Sequence, residues 1–312
     1  MTLKRSSYWL RFGLAVASVL ALLDGITSSA VQAAPAAQKP LIRMGSTNFA
    51  EQTIVAELYA QVLEANGFQI ERRLNLGSRE IVAPALESGQ IDMYPEYLAT
   101  MLSYTTKNQQ MGSGDPAATA MSLMEALAPK GISLLDVAPA IDTNALAVTA
   151  ATAQRLSLKT TSDLIPYMDQ LVLGGPPECP DRPFCIVGFR DVYGLTFKDF
   201  KPLDVGGPIT VAALDAGQVD VAVLFSSDAV IAQRGFVVLE DDKHLQLADN
   251  VAPVIRTEVL NAAPDEIRML TNSVSMILTT DELVELNRQV GVDRMDPKDA
   301  AAGWLKGKGL IS

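Results

Sequence analysis

The sequence is poor in the groups on which most enzyme chemistry depends. Among 312 residues there is one histidine, His244, and there are two cysteines, Cys179 and Cys185. A zinc site, a Ser-His-Asp triad or a Cys-His pair has almost no material here, and neither a metal nor a cofactor is expected. Basic charge is scarce as well: 25 Lys and Arg stand against 36 Asp and Glu, a formal net charge of -11. Without clustered cations there is no counterion release to gain from phosphates, so no nucleic acid partner is expected. Long apolar runs are also missing. The longest near the amino end, Leu14 to Leu23, stops at Asp24, well short of the roughly 20 residues that span a bilayer.

What is present is a globular composition, 48% hydrophobic and 20% charged, in a chain long enough for two cores. Its amino end has the pattern of a secretory signal. Lys4, Arg5 and Arg11 precede the apolar run, and small and polar residues lead to Val31-Gln32-Ala33, a signal-peptidase type of site. Residues 1–33 are therefore read as a cleavable signal. No cysteine lies near the cut, so the expected product is a soluble, exported protein without a lipid anchor, in the periplasm and monomeric. In such an oxidising compartment Cys179 and Cys185, close together in a proline-rich segment, are expected to form a local disulfide. It would stabilise by roughly 2 kcal/mol. Two buried free thiols are the alternative.

Short apolar runs then alternate with helical patterns, the signature of α/β architecture. Strands are expected at 41–45, 69–74, 91–94, 132–135, 145–149, 171–174, 219–225, 237–240 and 251–255, and helices at 51–66, 80–88, 116–130 and 281–290, stopped by Gly67, Gly89, Gly131 and Gly291. One segment recurs. Ala85-Leu86-Glu87-Ser88-Gly89-Gln90-Ile91-Asp92 returns as Ala213-Leu214-Asp215-Ala216-Gly217-Gln218-Val219-Asp220. Chance similarity between two ordinary helix-to-strand turns would explain it, and so would two similar lobes. The same offset pairs Tyr97 with Phe225 and Thr100 with Asp228, just past strand ends, where open α/β sheets bind ligands. Two aromatics would then face one another across a cleft.

The segments Gly45-Ser46-Thr47-Asn48-Phe49-Ala50-Glu51-Gln52, Asn75-Leu76-Gly77-Ser78 and Ala85 to Tyr97 come first, followed in order by Asp142-Thr143-Asn144-Ala145-Leu146, Tyr193-Gly194-Leu195, Ala213 to Asp220, Ser226-Ser227-Asp228 and Leu239 to Lys243. Together they closely resemble the substrate-binding proteins of ABC importers for glycine betaine, choline and related osmolytes. The resemblance covers nearly the whole chain after the signal. It implies the type II periplasmic binding fold: α/β, two lobes that each hold a mixed sheet flanked by helices, with a ligand cleft between them. Lobe one is expected at 40–143 plus 253–312 and lobe two at 144–252, with crossings near Asn144 to Val148 and Asp249 to Pro253.

By the same resemblance, Tyr97 matches a tyrosine of an aromatic cage that holds a quaternary ammonium group by cation-π attraction, and Thr100 a ligand-contacting threonine. Gln52 matches a glutamine of the first helix's opening turn, Asp142 an aspartate flanking the cage, and Arg182 an arginine that pairs with the ligand carboxylate. Asn144 and Val211 stand where members with a full cage carry tyrosine, Phe225 replaces another, and Thr47 stands where some carry lysine. Asp228 completes the candidate set. Each residue also has a structural reading: Tyr97 and Phe225 as core aromatics, Asp142 and Asp228 as caps, Gln52 and Arg182 as surface positions. The implied function is non-enzymatic capture of an osmolyte and delivery to a permease and its ATPase. The depleted cage leaves a second reading open, a receptor for an amino acid or another non-quaternary zwitterion, whether for transport or for sensing. A periplasmic enzyme using Asp142, Asp228 or Glu96 for acid-base work is the competing class.

Overall fold

The computed structural model describes residues 39–312, so the expected signal at 1–33 lies outside the described residues. In chain order the first half runs β1 (Leu41–Gly45), α1 (Ala50–Ala65), β2 (Gln69–Arg73), α2 (Arg79–Glu87), β3 (Met93–Tyr97), α3 (Leu98–Thr105), α4 (Pro116–Leu127), β4 (Ile132–Leu134), β5 (Asn144–Thr149) and α5 (Ala150–Leu156). The second half runs β6 (Val172–Gly175), α6 (Ile186–Tyr193), β7 (Asp199–Pro202), α7 (Pro208–Asp215), β8 (Val221–Phe225), α8 (Val230–Arg234), β9 (Phe236–Val238), β10 (Val251–Arg256), α9 (Thr257–Leu260), α10 (Pro264–Ser275), α11 (Thr280–Gly291) and α12 (Pro297–Gly307).

The strands make two sheets with one plan. The first has the order β2-β1-β3-β10-β4 and the second β7-β6-β8-β5-β9. In each, the first three strands are parallel and the fourth runs against its neighbours. Each fourth strand arrives from the other sheet: the chain leaves the first after β4, enters the second as β5, and returns as β10. The fold is thus α/β and two-lobed. The recurring segment marks equivalent places, since β3 and β8 begin and end at the same offset as the repeat.

The two connections, residues 135–143 and 239–250, touch where they pass. Ile141 bridges Asn250, the Asp142 amide donates to the Asp249 carbonyl at 3.2 Å, and the Val251 amide donates to the Ala140 carbonyl at 2.9 Å. The expected crossing at 144–148 is instead a strand of the second sheet, with Asn144 opposite Phe225. Val251 and Ala252, placed by the sequence reading in the middle segment, pair with Tyr97 and Glu96 in the first sheet. Both runs are continuously apolar and find partner strands on either side, which a free hinge would deny them.

The first core is organised by α1, whose residues 51–63 are all buried. A helix buried on every side must satisfy its polar groups internally. Glu57 does so with Arg72 at 2.7 Å, and Tyr59 exchanges a hydrogen bond with Ser275 at 2.9 Å. Helices α10, α11 and α12 pack on it. Gly67, Gly89 and Gly131 take the left-handed conformation expected of helix stops. Gly291 does not, because α11 runs through it and the left-handed residue is Arg294, at φ 63°.

Cys179 and Cys185 are joined by a disulfide. Their loop is pressed against α6 so closely that a Cβ on Gly188 would fall 2.0 Å from the Pro183 carbonyl oxygen and 2.5 Å from Leu245. Backbone cannot yield as a side-chain tip can. Gly188→Ala is therefore expected to destabilise the protein by about 1–3 kcal/mol, the usual range for overpacking. Denaturant unfolding measures this, and an unchanged midpoint would mean that the loop does not rest on α6.

Candidate ligand-binding cleft

The carboxyl ends of β3 and β8 deliver Tyr97 and Phe225 to one cavity of about 320 Å³ between the lobes. Their rings do not face each other directly, because Phe49, the residue before α1, stands between them. Its ring centroid lies 6.3 Å from Tyr97 with 23° between planes, and 5.2 Å from Phe225 with 21°. Three nearly parallel rings therefore run from one lobe to the other. Tyr97 is both a cavity wall and a member of the first core, 7% exposed.

Behind the rings lies Glu51, in the first turn of α1 and 3% exposed. Its Oε1 accepts the Tyr97 hydroxyl at 2.6 Å. Its Oε2 accepts the Asn287 amide at 2.6 Å and the Ser227 hydroxyl from the second lobe. Ser227 also donates its backbone N–H, at 3.0 Å, to Asp142, which takes the Ser226 hydroxyl at 3.1 Å. Asp228 accepts the Phe225 amide at 2.9 Å, and Asp249 accepts the Thr100 amide at 2.9 Å. These four carboxyls have no ion-paired lysine or arginine among the described residues, and burial dominates their titration. It raises Glu51 against the three hydrogen bonds that favour its charged form. It raises Asp142 well above the ordinary value, with help from the charges of Glu51 and Asp228. Asp228 and Asp249 are each pushed up to about 7.

Asp142, Asn144, Thr100 and Arg182 border the same cavity as Tyr97 and Phe225. Asn144 spends an amide N–H on the Phe184 carbonyl at 2.9 Å. Arg182 reaches across the cleft to Glu80 at 3.0 Å, so its guanidinium is engaged as a contact between lobes. Thr100 accepts from Arg79 at 2.8 Å, and Arg79 forms a two-pronged pair with buried Glu96, both contacts at 2.7 Å. That pairing ties buried Glu96 to a cation. The remaining candidates lie to either side. Gln52 lines a crevice of about 40 Å³ with Thr47, whose buried hydroxyl has no partner among the described residues. Asp228 and Val211 border a second, larger compartment.

The sequence reading quoted Phe49 and Glu51 within a motif but gave them no role, and it missed Asp249. No local pattern marks a contact such as Glu51 to Asn287, which are 236 residues apart. The acidic turn at Glu240 to Asp242 is structural: the Asp241 carboxylate takes the Leu245 and Gln246 amides at 3.0 and 2.7 Å. Among the described residues no cluster of three or more metal-ligating side chains is found.

Asp228 and Asp249 hold a proton up to about 7 when folded, against an ordinary value of 3.8. Between these values the folded state binds more protons than the unfolded one, so the stabilisation is complete in acid and is lost as pH rises through 7. The melting temperature of the empty protein should fall as pH is raised from about 5 to about 7.5, and Asp249→Asn should flatten that slope. A slope that Asp249→Asn leaves unchanged would show the group to be solvated.

Three comparisons bear on this cleft. A family model described as the substrate binding domain of an ABC-type glycine betaine transport system matches residues 40–307. The chain is 27% identical to the glycine betaine-binding protein YehZ of Escherichia coli (strain K12), over 86% of this chain and 90% of that one. It is 28% identical to a glycine-betaine-binding protein of Pseudomonas aeruginosa, over 89% and 91%. A solved structure of a glycine betaine/carnitine/choline ABC transporter protein superposes with a TM-score of 0.68 at 25% identity, covering 87% of this chain and all of the other.

Proposed function

Given that this chain belongs to the family of substrate-binding domains of ABC-type glycine betaine transport systems, we propose that it captures a small quaternary-ammonium osmolyte, glycine betaine, choline or a close relative, and delivers it to a membrane permease driven by an ATPase. The observation that carries this reading is the pairing of parallel ring faces with Asp142, a buried carboxyl that has no ion-paired lysine or arginine among the described residues. A quaternary ammonium donates no hydrogen bond and is held by ring faces and by negative charge, and this cavity supplies both. Tyr97, Phe225 and Asp142 meet the cation, Thr100 orients the ligand, and Gln52 and Arg182 stand on the side of any carboxylate.

In this reading the lobes are 40–143 plus 251–312 and 144–250, the second boundary drawn two residues earlier so that all of β10 falls in the first, and they close about the paired connections. The protein works in the periplasm without catalysis, freed of residues 1–33 and without a lipid anchor. No helix among the described residues is long and apolar enough to cross a membrane.

Isothermal titration with glycine betaine, choline and the common amino acids tests the proposal. Binding of the quaternary amines is expected, and Phe225→Ala should weaken it by about 0.5–2 kcal/mol, roughly 2- to 30-fold, for one lost ring face. Heat only with amino acids would overturn the ligand class. Unchanged affinity in Phe225→Ala would remove that ring from the site.

A further inference from the structure

The cleft holds a second compartment, of about 720 Å³, bordered by Phe49 and Phe225 but not by Tyr97. It has the same two ingredients of cation recognition as the smaller cavity. The phenylalanine pair offers ring surface, and Glu51 and Asp228 offer carboxyls with no basic partner among the described residues. Part of its wall is small and apolar: Ala212 on helix α7, Ala216 just past that helix's end, and Val290 and Gly291 on α11 of the other lobe, with Asp204 and Gln233 among the polar remainder. The basic groups on its wall are Arg234, paired with Asp215 at 3.2 Å, and exposed Arg294.

We propose that this compartment is a second binding site, for an organic cation with a sizeable apolar substituent and free of carboxylate: an ammonium that carries an aryl or branched alkyl group. Each part of that description answers a wall. Cation-π attraction and unpaired carboxyls favour positive charge over neutral ligands. The alanines and valines leave volume that a trimethylammonium group alone would not fill, and an apolar substituent gains by leaving water there. A bound cation favours the charged forms of Glu51 and Asp228, and these would then repel a carboxylate, which separates this ligand from a zwitterionic betaine. The inference rests on the binding-protein reading above, because the two walls belong to lobes that close together.

The test is titration of the full protein with benzyltrimethylammonium and, separately, with choline and glycine betaine. Ala212 is exposed on α7 and borders only the larger compartment, so Ala212→Trp fills that space at a surface position; Ala216→Phe does so one turn later. Wild-type protein is expected to bind benzyltrimethylammonium, and either variant to weaken it at least about tenfold, as a filled cavity excludes its occupant. Choline and glycine betaine should stay within about threefold, and the empty variants should keep the wild-type melting temperature. Binding of the small osmolytes without benzyltrimethylammonium overturns the second site and leaves the proposed function standing. Benzyltrimethylammonium affinity untouched by both variants, or loss of all ligands together, equally overturns it. Binding of none of the three overturns both readings.

Discussion

A buried carboxylate must find donors, and the donors that Glu51 finds join the molecule together. Leaving such a group unsatisfied in a low-dielectric interior costs several kcal/mol, so the atoms around it are held to hydrogen-bonding distance. Those atoms belong to Tyr97 at the end of β3, to Asn287 on α11 and to Ser227 just after β8. The first two are in one lobe and the third is in the other. Lobe position, the tilt of the Tyr97 ring and the seating of α11 on α1 are therefore constrained by one side chain. Because Phe49 precedes Glu51 by two residues, the same anchor sets where the middle ring of the aromatic row stands.

That row sets how much ring surface the cavity offers. Asn144 and Val211 supply none, and Phe49 adds a face beside Tyr97 and Phe225 from a direction that strand-end reasoning does not consider. Compensation also comes through charge. Asp142, Asp228 and Asp249 are kept short of full ionisation chiefly by burial, and a ligand cation would favour their charged forms. Cation-π and Coulomb attraction act here on the same group, so a site with fewer rings is not simply a weaker one.

How much of this was legible in the sequence follows from the range of each interaction. The repeat at Ala85 and Ala213 exposed the equivalence of the lobes, and the ends of β3 and β8 obey its offset to the residue. Tyr97 and Phe225 were readable because the ends of parallel strands are a general place for ligands. The crossings were misplaced because β5 and β10 are apolar runs whose partner strands are remote in sequence. Gly291 reads as a stop by composition, yet it is the last residue within α11 and takes no left-handed turn, and Asn287, Val290 and Gly291 all reach the cleft from that helix. Arg182 has the chemistry to pair with a ligand carboxylate, and only the fold reveals Glu80 within its reach. Residue type reports what a group can do, while its partner is decided by packing.

The two connections bring these threads to one point. Ile141 and Asn250 form an isolated bridge between the two connections, and the residues beside them, Asp142 and Asp249, are 4% and 5% exposed. A pivot flanked by buried carboxyls is electrostatically loaded. Opening the lobes would hydrate Asp142 and Asp249 and favour their ionised forms, whereas closing dries them and favours either a proton or an organic cation. Under the proposed function, motion, protonation and ligand charge are then coupled thermodynamically at the paired connections, and a cation that enters the cleft favours closure by adding counter-charge beside Asp142, which has no ion-paired lysine or arginine among the described residues.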